Sequence, residues 1–83
     1  MVYEIKWTEI ASKQFGKLDK ITQKRIINKL EWIREDPFLY ATRLVGFNVY
    51  KVRVGDYRII SSIEKNSLLI LVLKVGHRRS IYK

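Results

Sequence analysis

Tyr50-Lys51-Val52-Arg53-Val54-Gly55-Asp56-Tyr57-Arg58-Ile59-Ile60 is the stretch that decides the fold. Val49, Lys51 and Arg53 alternate with Tyr50, Val52 and Val54. The chain turns at Gly55-Asp56, and the alternation resumes through Tyr57, Arg58, Ile59 and Ile60. A period of two marks a strand with one buried face, and a Gly-Asp pair between two such runs marks a two-residue hairpin loop. Such a loop pairs Val54 with Tyr57 and Arg53 with Arg58. Like charges directly opposite on one sheet face repel. The pattern therefore predicts a rigid platform that holds cations together for an anionic ligand, with phosphate the expected anion.

Working outward, strands are predicted at Asn48–Val54, Tyr57–Ile63 and Leu68–Val75, with Glu64-Lys65-Asn66-Ser67 as a polar turn between the last two. The final strand is apolar on both faces, which predicts a central, covered position. Gly76-His77-Arg78-Arg79-Ser80-Ile81-Tyr82 reads as a basic, aromatic tail. At the other end, Tyr3, Ile5 and Trp7 alternate with Glu4 and Lys6, so Val2–Trp7 reads as a half-buried strand. Thr8 is an N-cap candidate with Glu9 in the first turn. Ile10, Ala11, Phe15 and Leu18 form the apolar stripe of a first helix. Gly16 weakens that helix by about 1 kcal/mol relative to Ala, and its small size suggests close packing against a second helix. Asp19 caps that second helix, which runs from Lys20 to Glu35 with Ile26, Ile27, Leu30 and Ile33 towards the core and Trp32 on the flank. Pro37 ends it, because the residue before a proline is pushed out of the helical region. Phe38–Phe47 reads as an irregular connector with Leu44 as an apolar anchor and Gly46 at a turn.

The predicted order is βααβββ, an α+β fold. Two N-terminal helices cover one face of a small, mainly antiparallel four-stranded sheet, in one domain spanning residues 1–83. Tyr50, Val52, Tyr57, Ile59 and Ile63 share a parity and point towards the helices. Lys51, Arg53 and Arg58 then point to the open face.

Composition narrows the functional classes. At 83 residues the chain buries only roughly 60% of its unfolded surface, so its stability rests on one core. It has no cysteine, which excludes a disulfide framework or a thiolate metal site and fits a reducing compartment. Lys6 and Glu4 interrupt any signal-peptide core. The longest apolar run, Leu68–Leu73, is far short of the ~20 residues a membrane helix needs. A soluble, cytoplasmic protein with no membrane partner is expected. The formal charge is +9, of which residues 51–83 carry +6. Positive charge concentrated in this way favours nucleic acid or another polyanion as partner.

The chain resembles the RelE-type toxins of the RelE/ParE toxin–antitoxin superfamily. Tyr50–Ile60 is similar to their central hairpin and Val75-Gly76-His77-Arg78-Arg79-Ser80-Ile81-Tyr82 to their carboxy-terminal signature. Asp36-Pro37 and Leu44 fit the same pattern, so the resemblance spans essentially the whole chain. It implies a microbial-ribonuclease-like fold and a ribosome-dependent mRNA endonuclease that cuts in the A site without metal or cofactor. It also implies a co-encoded, RelB-like antitoxin as partner, beside mRNA and ribosomal RNA. The RNA 2′-hydroxyl attacks the adjacent phosphate, leaving a 2′,3′-cyclic phosphate and a free 5′-hydroxyl.

That chemistry needs a base, charge stabilisation at phosphorus and support for the leaving oxygen. Lys51 is the candidate base, since a lysine loses its proton more readily among other cations while arginine stays protonated. Arg53 stands where the family often has lysine, and it is assigned to phosphate stabilisation. By the resemblance, Arg58 stabilises phosphate, Arg78 contacts the leaving-group side, and Tyr82 stacks on a base or orients the 2′-hydroxyl. His77, Arg79 and Lys74 are RNA-binding candidates, and His77 has the titration range of a general acid. Plainer readings stand beside these. The hairpin cations can be a solvated strand face, Arg78 and Arg79 a generic basic tail, Tyr82 an edge-packing residue, and the helical Lys13, Lys17, Lys20, Lys24 and Lys29 a solvated surface or a dock for ribosomal RNA. Two other functions share the fold expectation, a ParE-like gyrase poison and a non-enzymatic RNA-binding module.

Overall fold

Thr8 ends one element and begins the next. Its backbone is extended, its Oγ1 accepts the Ala11 N–H at 3.1 Å, and its hydroxyl donates to the Leu73 carbonyl at 3.2 Å. In the computed structural model, which describes residues 2–81, strand β1 (Glu4–Trp7) therefore passes directly into helix α1 (Glu9–Gly16). Asp19 starts α2 (Lys20–Ile33) in the same way. Its Oδ2 accepts the Thr22 N–H at 3.1 Å and its Oδ1 the Thr22 hydroxyl at 2.6 Å. These bonds favour the ionised carboxylate. The hydroxyl bond first, then the amide, hold Asp19 below its ordinary value of 3.8.

The second helix stops at Ile33, short of the expected Glu35. Pro37 then opens a further single turn, α3 (Pro37–Tyr40), from its first position, where a missing N–H costs nothing. Strands β2 (Thr42–Arg43), β3 (Tyr50–Val54), β4 (Tyr57–Glu64) and β5 (Leu69–His77) follow, and the sheet order is β1-β5-β4-β3-β2. The expected α+β architecture is present, but with three helices and five strands. The additional turn and strand both come from the stretch expected to be irregular. Two residues are too few to show alternation. Thr42 and Arg43 are strand only because they find Lys51 and Tyr50 across a turn closed by the Leu44 N–H on the Val49 carbonyl at 3.0 Å.

The strand after the hairpin lies inside the sheet, as its two apolar faces suggested. On one side β5 pairs with β4 antiparallel, and on the other with β1 in parallel, from Glu4↔Leu69 to Trp7↔Val72. It reaches His77, so Gly76 and His77 belong to the sheet and not to the tail. Between β4 and β5 the register shifts. Ile60 faces Lys74 and Ser61 faces Val72, which leaves Leu73 as an inserted residue. The insertion lets Val72 and Val75 both turn to the helices despite their odd spacing.

The core lies between that face and the helices. Ala11, Ile26, Leu30 and Ile33 pack on Val52, Ile59, Ile70, Val72 and Val75, with Phe15, Leu18 and Ile63 partly buried around them. Three expectations fail here. Ile10 and Ile27 are exposed, because Ala11 and the Ile26/Leu30/Ile33 row already fill the contact, and one residue's step around a helix of 3.6 residues per turn moves a side chain off it. Gly16 makes no close helix contact, since a Cβ there would meet nothing within 4 Å. Among the described residues no helix is long and apolar enough to cross a membrane.

Leu30 is fully buried at the helix–sheet contact, so Leu30→Ala should lower the unfolding free energy by about 2–5 kcal/mol, read by urea denaturation. The Asp19 cap should be pH-sensitive in one direction. Its folded-state value is depressed, so its stabilisation is present above 3.8 and is lost as pH falls through the lower folded value. The stability difference between the native chain and Asp19→Ala should therefore shrink as pH falls below 3.8, measured by denaturation across that range.

Candidate active site

The hairpin tip organises the cations. Gly55 has φ 57°, in the left-handed region that suits glycine, and it is the first residue of a two-residue loop of the II′ kind. The loop sets the register Val54↔Tyr57, Arg53↔Arg58, Val52↔Ile59 and Lys51↔Ile60. Because Val52 and Ile59 are buried under the helices, alternation turns Lys51, Arg53 and Arg58 to the opposite face. Two rows then cross that face. One is Lys51, Ile60 and Lys74; the other is Arg53, Arg58 and Gly76. Thus Lys51, Arg53, Arg58 and Lys74 share one surface.

Arg58 is held on this surface. Its Nη1 donates to the Gly55 carbonyl at 3.0 Å and to the Tyr57 carbonyl at 2.9 Å. Both Nη1 hydrogens are so used, and the donors on Nε and Nη2 remain. Among the described residues, Lys51, Arg53, Arg58 and Lys74 have no carboxylate within ion-pair distance. Arg78 joins them at the tip. Its backbone N–H donates to the Asp56 carbonyl at 2.8 Å, and its Nε lies 3.8 Å from Asp56 Oδ1. That ion pair is exposed and contributes little stability, so the backbone bond is the firmer tether.

His77 stands apart. It pairs with Tyr57 on the helix-side face, and the two rings meet edge to face at 5.5 Å. Its Nδ1 accepts the Arg79 N–H at 3.1 Å, and its carbonyl accepts the N–H groups of Ser80 and Ile81. His77 thus shapes the turn that follows β5, on the far side of the sheet from the cations. Arg79 is exposed on that turn. Tyr82 lies outside the described residues.

Ile81 is a site component that sequence reading missed. The turn after His77 carries it back over the open face, where it is buried and would lie 3.2 Å from a Cβ on Gly76. With Leu44, Phe47, Val49, Ile60 and Leu73 it lines an apolar hollow beside Lys74. The open face is therefore cationic towards the hairpin tip and apolar towards the β2–β3 loop. Asp56 was missed as well, although its place in the loop, opposite the end of the last strand, carried the signal.

The surface offers cations around a shallow, accessible face with a fixed guanidinium, an arrangement fit to bind a phosphodiester and to stabilise added negative charge on it. Residues 5–82 match the sequence model of the family described as ParE toxin of type II toxin–antitoxin system, parDE. A protein of Escherichia coli with a RelE-like toxin name is 32% identical over 94% of this chain and 85% of its own. The mRNA interferase toxin RelE of Escherichia coli K12 is 27% identical over the same shares. The archaeal RelE–RelB complex from Pyrococcus horikoshii contains a chain that superposes with a TM-score of 0.82 at 25% identity, covering 96% of this chain and 99% of that one.

The close seat of Ile81 on Gly76 generates a test. Gly76→Val should displace the returning turn without unfolding the sheet. Amide exchange at Ser80 and Ile81 should accelerate while that of Ile59 and Val72 stays slow. Unchanged protection at Ile81 would show that Gly76 does not seat the turn.

Proposed function

Since the chain belongs to the ParE toxin family of type II toxin–antitoxin systems and is a RelE-like toxin, we propose that it is an endoribonuclease that cuts mRNA in the ribosomal A site. The observation that carries this reading is the row pair on the open face. Lys51 lies two register steps along the same face from a fixed Arg58 and its cross-strand neighbour Arg53, and no described carboxylate neutralises them.

In this reading Lys51 takes the proton of the 2′-hydroxyl. The O2′–P bond forms, and the P–O5′ bond breaks. Arg53 and Arg58 stabilise the negative charge that builds on the phosphoryl oxygens, through charge-assisted hydrogen bonds that need no reorganisation. Arg78, tethered to Asp56, supports the departing 5′-oxygen, which leaves as a hydroxyl on taking up a proton from solvent water. Tyr82 is assigned to base stacking, and Lys74 and Arg79 to holding the flanking backbone. The residues require no metal for these roles. A protein with this activity needs restraint in its own cell, and the Pyrococcus relative is found with RelB. We assign this chain a RelB-like antitoxin, acidic enough to complement a face of this charge.

A second reading is favoured by the ParE description of the matching family model, namely inhibition of DNA gyrase on the same fold. The separating experiment is primer extension on a defined mRNA in reconstituted translation, with and without ribosomes. Cuts inside the A-site codon, only with ribosomes, are expected. Folded protein that cuts nothing and inhibits supercoiling instead would favour the gyrase reading. In the cleavage assay Lys51→Ala should slow cutting by about 10²–10⁴-fold and Arg58→Ala by about 10²–10³-fold, with the urea midpoint of each variant close to that of the native chain.

A further inference from the structure

A second set of cations approaches the hairpin tip from the helix side. Arg25, Asn28, Lys29 and Trp32 of α2 form a groove with Arg53 and Gly55 of the hairpin. Arg25 and Lys29 are one turn apart, about 6 Å along the axis, which is close to one nucleotide step of an extended strand. Like charges at this spacing repel, and among the described residues no carboxylate lies within ion-pair distance of Arg25, Lys29 or Arg53. Lys29 is held in place, its Nζ 4.5 Å over the Trp32 ring, and Trp32 in turn packs on Tyr40 with ring centroids 4.4 Å apart. The Arg25 Nη1 would lie 3.8 Å from a Cβ on Gly55, an ordinary contact distance, so the helix cation reaches the tip. Arg53 belongs both to this groove and to the open face. The groove is therefore continuous with the surface that receives the reacting phosphate.

We infer that Arg25 and Lys29 form a second phosphate subsite, which holds the single-stranded RNA backbone where it leaves the open face and rounds the Gly55 turn. Charge complementarity selects a polyanion, and continuity through Arg53 makes it the same strand. The inference rests on the endoribonuclease reading. Sequence alone did not single it out, because Lys29 read only as one of several helical lysines and nothing marked Arg25 until the hairpin tip was folded against them.

The test is binding of a short, single-stranded 2′-O-methyl RNA, which lacks the attacking hydroxyl, by the full chain at a series of salt concentrations. For a single strand the logarithm of the affinity falls with the logarithm of salt by about 0.7 per phosphate contact. Arg25→Gln with Lys29→Gln should reduce that slope by about 1.4, two contacts' worth. Lys13→Gln with Lys20→Gln removes equal charge elsewhere on the helices and should leave the slope near that of the native chain. A comparable drop in both double variants would reduce the effect to net charge and overturn the subsite, as would no drop in either. Loss of antitoxin affinity by the Arg25/Lys29 variant at an unchanged RNA slope would also overturn it, making the groove a protein surface. The ribosomal cleavage assay on the native chain separates the two levels. Cutting by the native chain with an unchanged slope in the variant sinks the subsite alone, whereas a native chain that neither cuts nor binds the oligonucleotide sinks the endoribonuclease reading with it.

Discussion

The register of β3 on β4 is the constraint on which the remaining structure depends. Burying Val52 opposite Ile59 beneath the helices forces Arg53 opposite Arg58 on the other face. A slip by one residue would put the arginines in the core and the valine in water. The core thus fixes where the cations go and also offsets their repulsion. Cross-strand pairs are worth roughly 0.2–1 kcal/mol either way, whereas fully burying one Val or Ile side chain contributes about 1.5–3 kcal/mol. Hydrophobic burial wins, and the charge placement is its by-product.

The neighbouring strand extends the arrangement. Val75 continues the Val52/Ile59 row on the helix side, and Gly76 continues the Arg53/Arg58 row on the open side. An absent side chain at Gly76 makes room for Ile81, which brings the chain after β5 over the cationic face. The inserted Leu73 re-phases β5 so that Ile70, Val72 and Val75 all reach the core. Ser61, opposite Val72 at the shift, is buried with it.

Much of this was legible in the residues, for a physical reason. The hairpin pairing followed from Gly55-Asp56 and strict alternation, both local signals, and so did the caps at Thr8 and Asp19. The central place of β5 followed from its two apolar faces. What escaped was non-local. Thr42 and Arg43 become strand only through distant partners, and the Leu73 insertion leaves no mark in an apolar run that reads alike in either phase. Ile10 and Ile27 are as apolar as Ile26, and only the packed sheet decides which of them it can cover. At the site, Lys51, Arg53 and Arg58 were placed together by parity, and Lys74 joins them through its pairing with Ile60. His77 was not, because its position within β5, one residue beyond Gly76, turns it to the helix side. Ile81 and Arg25 reach the site only through the returning turn and the helix packing, which no spacing rule encodes.

The parallel pairing of β1 with β5 bears on how the protein is made. Strand β1 leaves the ribosome well ahead of its partner Leu69–Val72, which follows it only after both long helices and the hairpin. Loops this long close slowly, and long-range parallel pairing slows folding. The sheet that carries Lys51, Arg53 and Arg58 remains open at β4 until β5 arrives between the two. At a synthesis rate of roughly 5–20 residues per second, a nascent chain spends seconds as helices and an unpaired strand. The cationic face is thus completed only once β5 has been made, so the fold itself delays the appearance of a finished toxin.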